Sequence, residues 1–123
     1  MKTLVLTVLL GSSAMIAAAA DNAALSGQWK VHSSIAGYDN DQTCTITQKG
    51  NEVSGSCTSD QGTVQIVGKV DEKKVSWLYK SEYNGSPLTV SFKGTLNSEA
   101  KITGSVTAEE YGVEGEFTAT LAK

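Results

Sequence analysis

Apolar and polar residues alternate with a period of two along most of the chain after residue 26. Val, Thr, Ile and aromatic residues fill the alternating runs, while Gly, Asn, Asp and Ser separate them. This pattern predicts β-strands with one buried side and one solvent-facing side. We predict eight strands, over Gly27–Ser33, Thr43–Lys49, Glu52–Thr58, Thr63–Val70, Lys74–Tyr83, Leu88–Leu96, Lys101–Thr107 and Val113–Leu121.

No stretch shows a helical period, and every connection except Ser34–Gln42 has the length of a hairpin turn. The chain is therefore predicted to be all-β, with an eight-stranded antiparallel up-and-down barrel whose closure removes the sheet edges. The apolar side must face the interior, because a slip of one residue would turn all of it toward water. Five glycines fall on this inward side, where they allow strands to bend: Gly55, Gly68, Gly94, Gly104 and Gly115.

The two cysteines lie on neighbouring predicted strands around the two-residue turn Gly50-Asn51. Counting back from this turn pairs Cys44 with Cys57 at a non-hydrogen-bonded position, where Cα atoms approach to about 4.5 Å. We therefore expect one disulfide, Cys44–Cys57.

The first 20 residues have the features of a secretory signal peptide. Lys2 precedes an apolar run from Leu4 to Ala19, and Ala18-Ala19-Ala20 offers a small-residue cleavage site before Asp21. The run is too short for a stable membrane anchor. We expect residues 1–20 to be removed, residues 21–123 to form a single β-barrel domain, and the mature protein to be secreted or periplasmic.

Charge argues against nucleic acid as a partner. The chain has 13 Asp and Glu against 10 Lys and no Arg, for a formal net charge of −3. Recognition of phosphate and guanine commonly uses the bidentate guanidinium of Arg. We expect a small apolar molecule or a protein as the partner instead.

The opening strand Leu25-Ser26-Gly27-Gln28-Trp29-Lys30-Val31 resembles that of the calycins, the lipocalin and avidin group of small barrels. These families begin with a Gly-x-Trp strand whose tryptophan packs near one end of the barrel. Gly27 and Trp29 match this motif. The resemblance implies a barrel that binds small ligands inside.

Gly27-Gln28-Trp29 and Cys44 are also similar to bacterial periplasmic inhibitors of secreted metalloproteases. Those proteins are barrels of similar size, and they open with a Gly-Gln-Trp strand and carry one early disulfide. This resemblance implies the alternative role of a protein-interaction module or protease inhibitor of the cell envelope.

Four aromatic residues at inward positions are candidates for ligand binding: Trp29, Trp77, Tyr79 and Phe92. The same rings could instead fill the core. We favour a filled core, because a barrel of about 100 residues has little spare interior volume. A second candidate site is a recognition rim at the end of the barrel that holds the odd-numbered connections. Its residues are Tyr38, Asp39, Asp41, Asp60, Tyr83, Glu109, Glu110 and Tyr111. A solvated rim that only keeps the protein soluble is an equally weighted interpretation.

Catalysis is not expected, because no nucleophile accompanies a base and His32 is the only histidine. Three or four ligands are needed for zinc, and both cysteines are committed. Asp39-Asn40-Asp41 lacks the Gly and Glu that an EF-hand calcium loop requires at its sixth and twelfth positions. We expect no cofactor, no metal site and a non-enzymatic binding protein.

Overall fold

The computed structural model describes residues 24–97 and 100–122. The predicted signal peptide lies outside these residues. The strands are β1 Gly27–Ile35, β2 Tyr38–Lys49, β3 Glu52–Ser59, β4 Gly62–Asp71, β5 Lys74–Tyr83, β6 Ser86–Leu96, β7 Lys101–Ala108 and β8 Val113–Leu121. Each strand pairs antiparallel with its neighbours in sequence, and β1 pairs with β8, which closes the barrel. The predicted fold class is confirmed.

The β2–β3 hairpin has the predicted register and the predicted disulfide. Lys49 pairs with Glu52 beside the turn, and Cys44 pairs with Cys57. The two sulfurs are bonded, and the Cα atoms lie 3.9 Å apart. The alternation of this hairpin therefore placed both cysteines on the inward side of the sheet, where both are buried.

The prediction of a long connection at Ser34–Gln42 is wrong. β1 continues to Ile35, β2 begins at Tyr38, and a two-residue turn joins them. Both turn residues, Ala36 and Gly37, have positive φ (50° and 83°), as a tight hairpin requires. The other strands end within two residues of the predicted bounds.

The interior is a single core of inward-facing side chains. Its aromatic centre consists of Trp77, Phe92 and Phe117, with Trp77 stacked on Phe92 at 5.0 Å between ring centroids. Phe117 meets both of these rings edge-on, at 5.4 and 5.1 Å. Two predicted inward glycines bring strands together around this centre: a Cβ on Gly68 or Gly104 would lie 1.9 Å from a carbonyl oxygen of the adjacent strand. No side chain larger than hydrogen fits there without a backbone shift.

The segment before β1 closes one end of the barrel. Leu25 is fully buried, and its backbone N–H donates to Gln48 Oε1 at 2.7 Å. The indole Nε1 of Trp29 donates to the Leu25 carbonyl at 2.9 Å. Within the described part of the chain, no helix is long and apolar enough to cross a membrane.

Candidate functional site

The opposite end of the barrel, which we call the mouth, holds the four connections that follow the odd-numbered strands. Three are two-residue turns, at 36–37, 60–61 and 84–85. The fourth contains a short 3₁₀ helix, Glu109–Tyr111, which ends at Gly112 in the left-handed conformation. An up-and-down meander necessarily brings these four connections to one end, as the sequence predicted.

A cavity of about 490 Å³ occupies the mouth. Most of its lining comes from inward positions near the ends of β1, β2, β5, β6, β7 and β8, completed by residues of the turns. The lining residues are Ser33, Ile35, Ala36, Tyr38, Asp39, Asn40, Gln61, Tyr79, Tyr83, Leu88, Val90, Ala108, Tyr111 and Val113.

The walls of the mouth cavity are mainly apolar. Ile35, Leu88 and Val90 contribute aliphatic side chains from β1 and β6, and Val113 contributes one from the start of β8. Val90 is buried, whereas the other three are partly exposed. Such surfaces gain free energy when an apolar ligand removes them from water.

Polar groups lie deeper in the barrel, beneath these walls. Ser33 and Gln42 are buried at inward positions, and Gln42 hydrogen-bonds to the hydroxyl of Tyr79. Burial raises the pKa of Tyr79 above 10.0, with the Gln42 contact opposing the shift. The phenol therefore stays neutral at physiological pH and can serve a ligand as a hydrogen-bonding group.

Three tyrosines surround the entrance. Tyr38, Tyr83 and Tyr111 line the cavity and remain 74%, 51% and 50% exposed. The rings of Tyr83 and Tyr111 meet edge-on at 6.1 Å, with an interplanar angle of 85°. The two rings therefore pack against each other at the rim.

The predicted ligand-binding residues separate into two groups. Tyr79 lines the mouth cavity, and its ring lies 6.1 Å from that of Phe92. Trp29, Trp77 and Phe92 are buried in the core, between the mouth and the end closed by Leu25. The Trp77 indole Nε1 has no hydrogen-bond acceptor among the described residues.

The structure also divides the predicted recognition rim. Its three tyrosines and Asp39 line the mouth cavity. Asp41 lies on the outer surface, where His32 Nδ1 approaches its Oδ1 to 2.6 Å. Asp60 lines an outer hollow with His32 and Asp41.

The remaining two acidic residues of the rim, Glu109 and Glu110, hydrogen-bond to residues on the outer side of β6. Glu110 accepts hydrogen bonds from the backbone N–H and the hydroxyl of Thr89, at 2.6 and 2.8 Å. The backbone bond is the main cause that lowers the pKa of Glu110 below 4.5. Glu109 accepts a short hydrogen bond from the Ser91 hydroxyl. These contacts fasten the 3₁₀ helix, and with it Tyr111, to the barrel wall.

No group of three or more His, Cys, Asp or Glu side chains in the described ranges is arranged to hold a metal ion. His32 is exposed on the outer side of β1, and its hydrogen bond to Asp41 raises the pKa of the imidazole above 6.5. The hydrogen bond is the largest cause of this shift, and the charges of Asp41 and Asp39 add to it.

Sequence reasoning missed several lining residues, notably Ser33, Ile35, Asn40 and Leu88. The first three lie in or beside the segment taken for a long connection, and Leu88 was placed at a strand end without a face. The available signal was Ala36-Gly37 as a two-residue turn, which aligns Ile35 with Tyr38 and turns both inward.

No protein-family model matches the chain, and no curated protein matches it with significant sequence similarity.

Proposed function

We propose that this protein binds a small, largely apolar molecule at the mouth of its barrel. The observation that carries the proposal is the mouth cavity of about 490 Å³ with its aliphatic walls. Cavities that hold small molecules typically measure about 300–1,000 Å³ and combine apolar lining with a few polar groups. Ser33 and Tyr79 are such polar groups here.

Two features of the fold support a preformed site. The core next to the cavity is packed with Trp77, Phe92 and Phe117. Because this packing is tight, these side chains cannot easily shift to fill the cavity. The closed ladder holds the strands that carry the lining, and the disulfide ties one of them, β2, to β3. A preformed site avoids part of the entropic cost of ordering side chains on binding.

The proposal extends to class and location. A closed barrel with a Gly-x-Trp strand and Trp29 packed near one end agrees with a calycin-like protein. The Cys44–Cys57 disulfide is compatible with secretion or the periplasm, since disulfides persist in oxidising compartments. We infer a binding role rather than catalysis because His32 faces outward, away from the inward-facing cavity lining.

Titration with the neutral fluorophore N-phenyl-1-naphthylamine tests the proposal. Fluorescence should rise saturably with the wild-type protein, because the probe leaves water for an apolar site. Val113→Trp fills the cavity and should weaken binding at least about tenfold, which corresponds to about 1.4 kcal/mol.

Val67→Trp is the matched control, because Val67 is 59% exposed on the outer side of β4 and does not line the mouth. This variant should keep the wild-type affinity. Equal loss in both variants, or no saturable binding by the wild-type protein, contradicts the proposal. Circular dichroism of both variants checks that the barrel remains folded.

Protein binding through the mouth is the second candidate function. The observation that favours it is the exposure of Tyr38, Tyr83 and Tyr111 at one end, since tyrosine is enriched in protein interfaces. Assays of secreted metalloproteases with added protein test the inhibitor form of this function. Inhibition that is lost in Tyr38→Ser and kept in Val113→Trp would favour it over small-molecule binding.

A further inference from the structure

We infer that the mouth selects an organic cation with an apolar tail, with the cationic group held at the rim and the tail in the cavity. This inference rests on the proposed function and names the chemical class of its ligand. It follows from three observations at the mouth: the negative charge at its edge, the tyrosines of the rim and the aliphatic lining of the cavity.

The charge of the lining is negative. Among the described residues that line the mouth cavity, Asp39 is the only one with a charged side chain. Asp39 pairs with Ser34 and so lies on the same outward side of β2 as Asp41, at the edge of the cavity, where its charge also helps to raise the pKa of His32. A ligand carboxylate at the entrance would be repelled by this nearby charge, with no cationic side chain among the described lining residues to neutralise it, whereas an ammonium group would be attracted.

The rim of the cavity carries three tyrosine rings. Tyr83 and Tyr111 stand nearly perpendicular, with centroids 6.1 Å apart, and Tyr38 lines the cavity from the start of β2. Cations are attracted to aromatic faces within about 6 Å, and aromatic cages are a recognised mode of binding quaternary ammonium groups. Tyr111 is held in place because Glu109 and Glu110 anchor its short helix to Ser91 and Thr89.

The lining beside and below the tyrosines is apolar. Ile35, Leu88 and Val113 contact the space that a tail of several carbons would occupy. The neutral phenol of Tyr79 and the hydroxyl of Ser33 lie deeper and carry no formal charge at physiological pH. A ligand with its charge at the entrance and its apolar part inward fits this order.

The experiment is a comparison of three probes with the same tail. Octyltrimethylammonium, 1-octanol and octanoate are titrated calorimetrically into the folded, disulfide-bonded protein at pH 7.5 and low ionic strength. The cation should bind about tenfold more tightly than octanol, and octanoate should bind most weakly, as expected from one cation–π site and one nearby carboxylate. The preference should shrink as salt is added.

Variants at the rim assign the preference to named residues. Tyr111→Leu keeps apolar area and removes the aromatic face, so it should lower affinity for the cation while leaving octanol binding within about twofold. Tyr111→Phe should restore the preference. Asp39→Asn should also reduce cation binding selectively. Asp60→Asn is the matched control, because Asp60 belongs to the mouth turns and does not line the cavity.

The outcomes separate this inference from the proposed function. Equal binding of all three probes, or tightest binding of octanoate, overturns the cation preference and leaves the apolar site standing. Absence of binding by all three probes overturns both. An equal effect of Asp39→Asn and Asp60→Asn overturns the assignment to the rim, because the preference would then come from the general charge of this end.

Discussion

We expect the aromatic core next to the mouth cavity to be tightly packed. Removal of the Phe92 ring is the most direct test of this packing. Phe92 is 1% exposed. Its ring stacks on Trp77 at 5.0 Å, meets Phe117 edge-on at 5.1 Å and lies 6.1 Å from Tyr79. Phe92→Ala therefore removes one ring from the centre of the cluster and leaves three without their common neighbour.

The expected loss of unfolding free energy is about 3–5 kcal/mol, from lost transfer free energy and the cavity left behind. The upper part of this range is expected, because aromatic pairs add about 0.5–1.5 kcal/mol each beyond buried area. Such a loss is large beside the roughly 5–15 kcal/mol that stabilises a typical domain. Phe92→Leu keeps most of the volume and should lose clearly less.

Urea unfolding, followed by circular dichroism with the disulfide intact, measures this loss as a lower midpoint at an unchanged slope. Val67→Ala is the control, since exposed Val67 should cost less than about 0.5 kcal/mol. A loss of unfolding free energy below about 1 kcal/mol for Phe92→Ala would refute tight packing of the aromatic core next to the cavity. If probe affinity fell strongly in the same variant, Phe92 would instead line an open extension of the cavity.

Two further predictions concern the disulfide and the histidine. Reduction of Cys44–Cys57 should cost about 3 kcal/mol through added freedom of the unfolded chain, measured by paired urea melts. Two reactive thiols in the native, unreduced protein would contradict this bond. NMR titration should place the pKa of His32 above 6.5, and Asp41→Asn should lower it. Because the folded pKa is raised, the pair stabilises the fold fully below pH 6.5, and the contribution disappears as pH rises through the folded pKa. An unchanged titration in Asp41→Asn would contradict the hydrogen bond as the cause.

The sequence by itself determined the barrel and its disulfide. Strand alternation has a period of two, so a run such as the one around Val75 and Trp77 can bury its apolar side in only one register. Gly50-Asn51 then pairs Cys44 with Cys57 by counting alone. Short connections permit only antiparallel neighbours, and eight strands can remove their edges by closing. These rules depend on residues close together in sequence, so they can be applied to the sequence alone.

The hairpin at Ala36-Gly37 shows where local rules failed. Ser33 and Gln42 are polar and yet buried, so the alternation that marks a half-buried strand disappears where β1 and β2 approach the mouth. Ala36 adopts a positive φ that its residue type does not signal. Tertiary contacts decided this segment, including the Gln42 hydrogen bond to Tyr79 on a distant strand.

Tertiary structure alone also decided which aromatic residues fill the barrel and which line its mouth. Trp77, Tyr79 and Phe92 share the inward side, and the pattern treats them alike, but only Tyr79 lies at the height of the cavity. The residues of the predicted recognition rim also lie in different places. Asp39 borders the cavity, while Glu110 hydrogen-bonds to Thr89 on the outside of the barrel. The height of a residue along the barrel axis depends on how neighbouring strands are shifted relative to each other. The direction of its side chain depends on contacts with residues far away in sequence. The alternation of residues in one strand carries neither quantity.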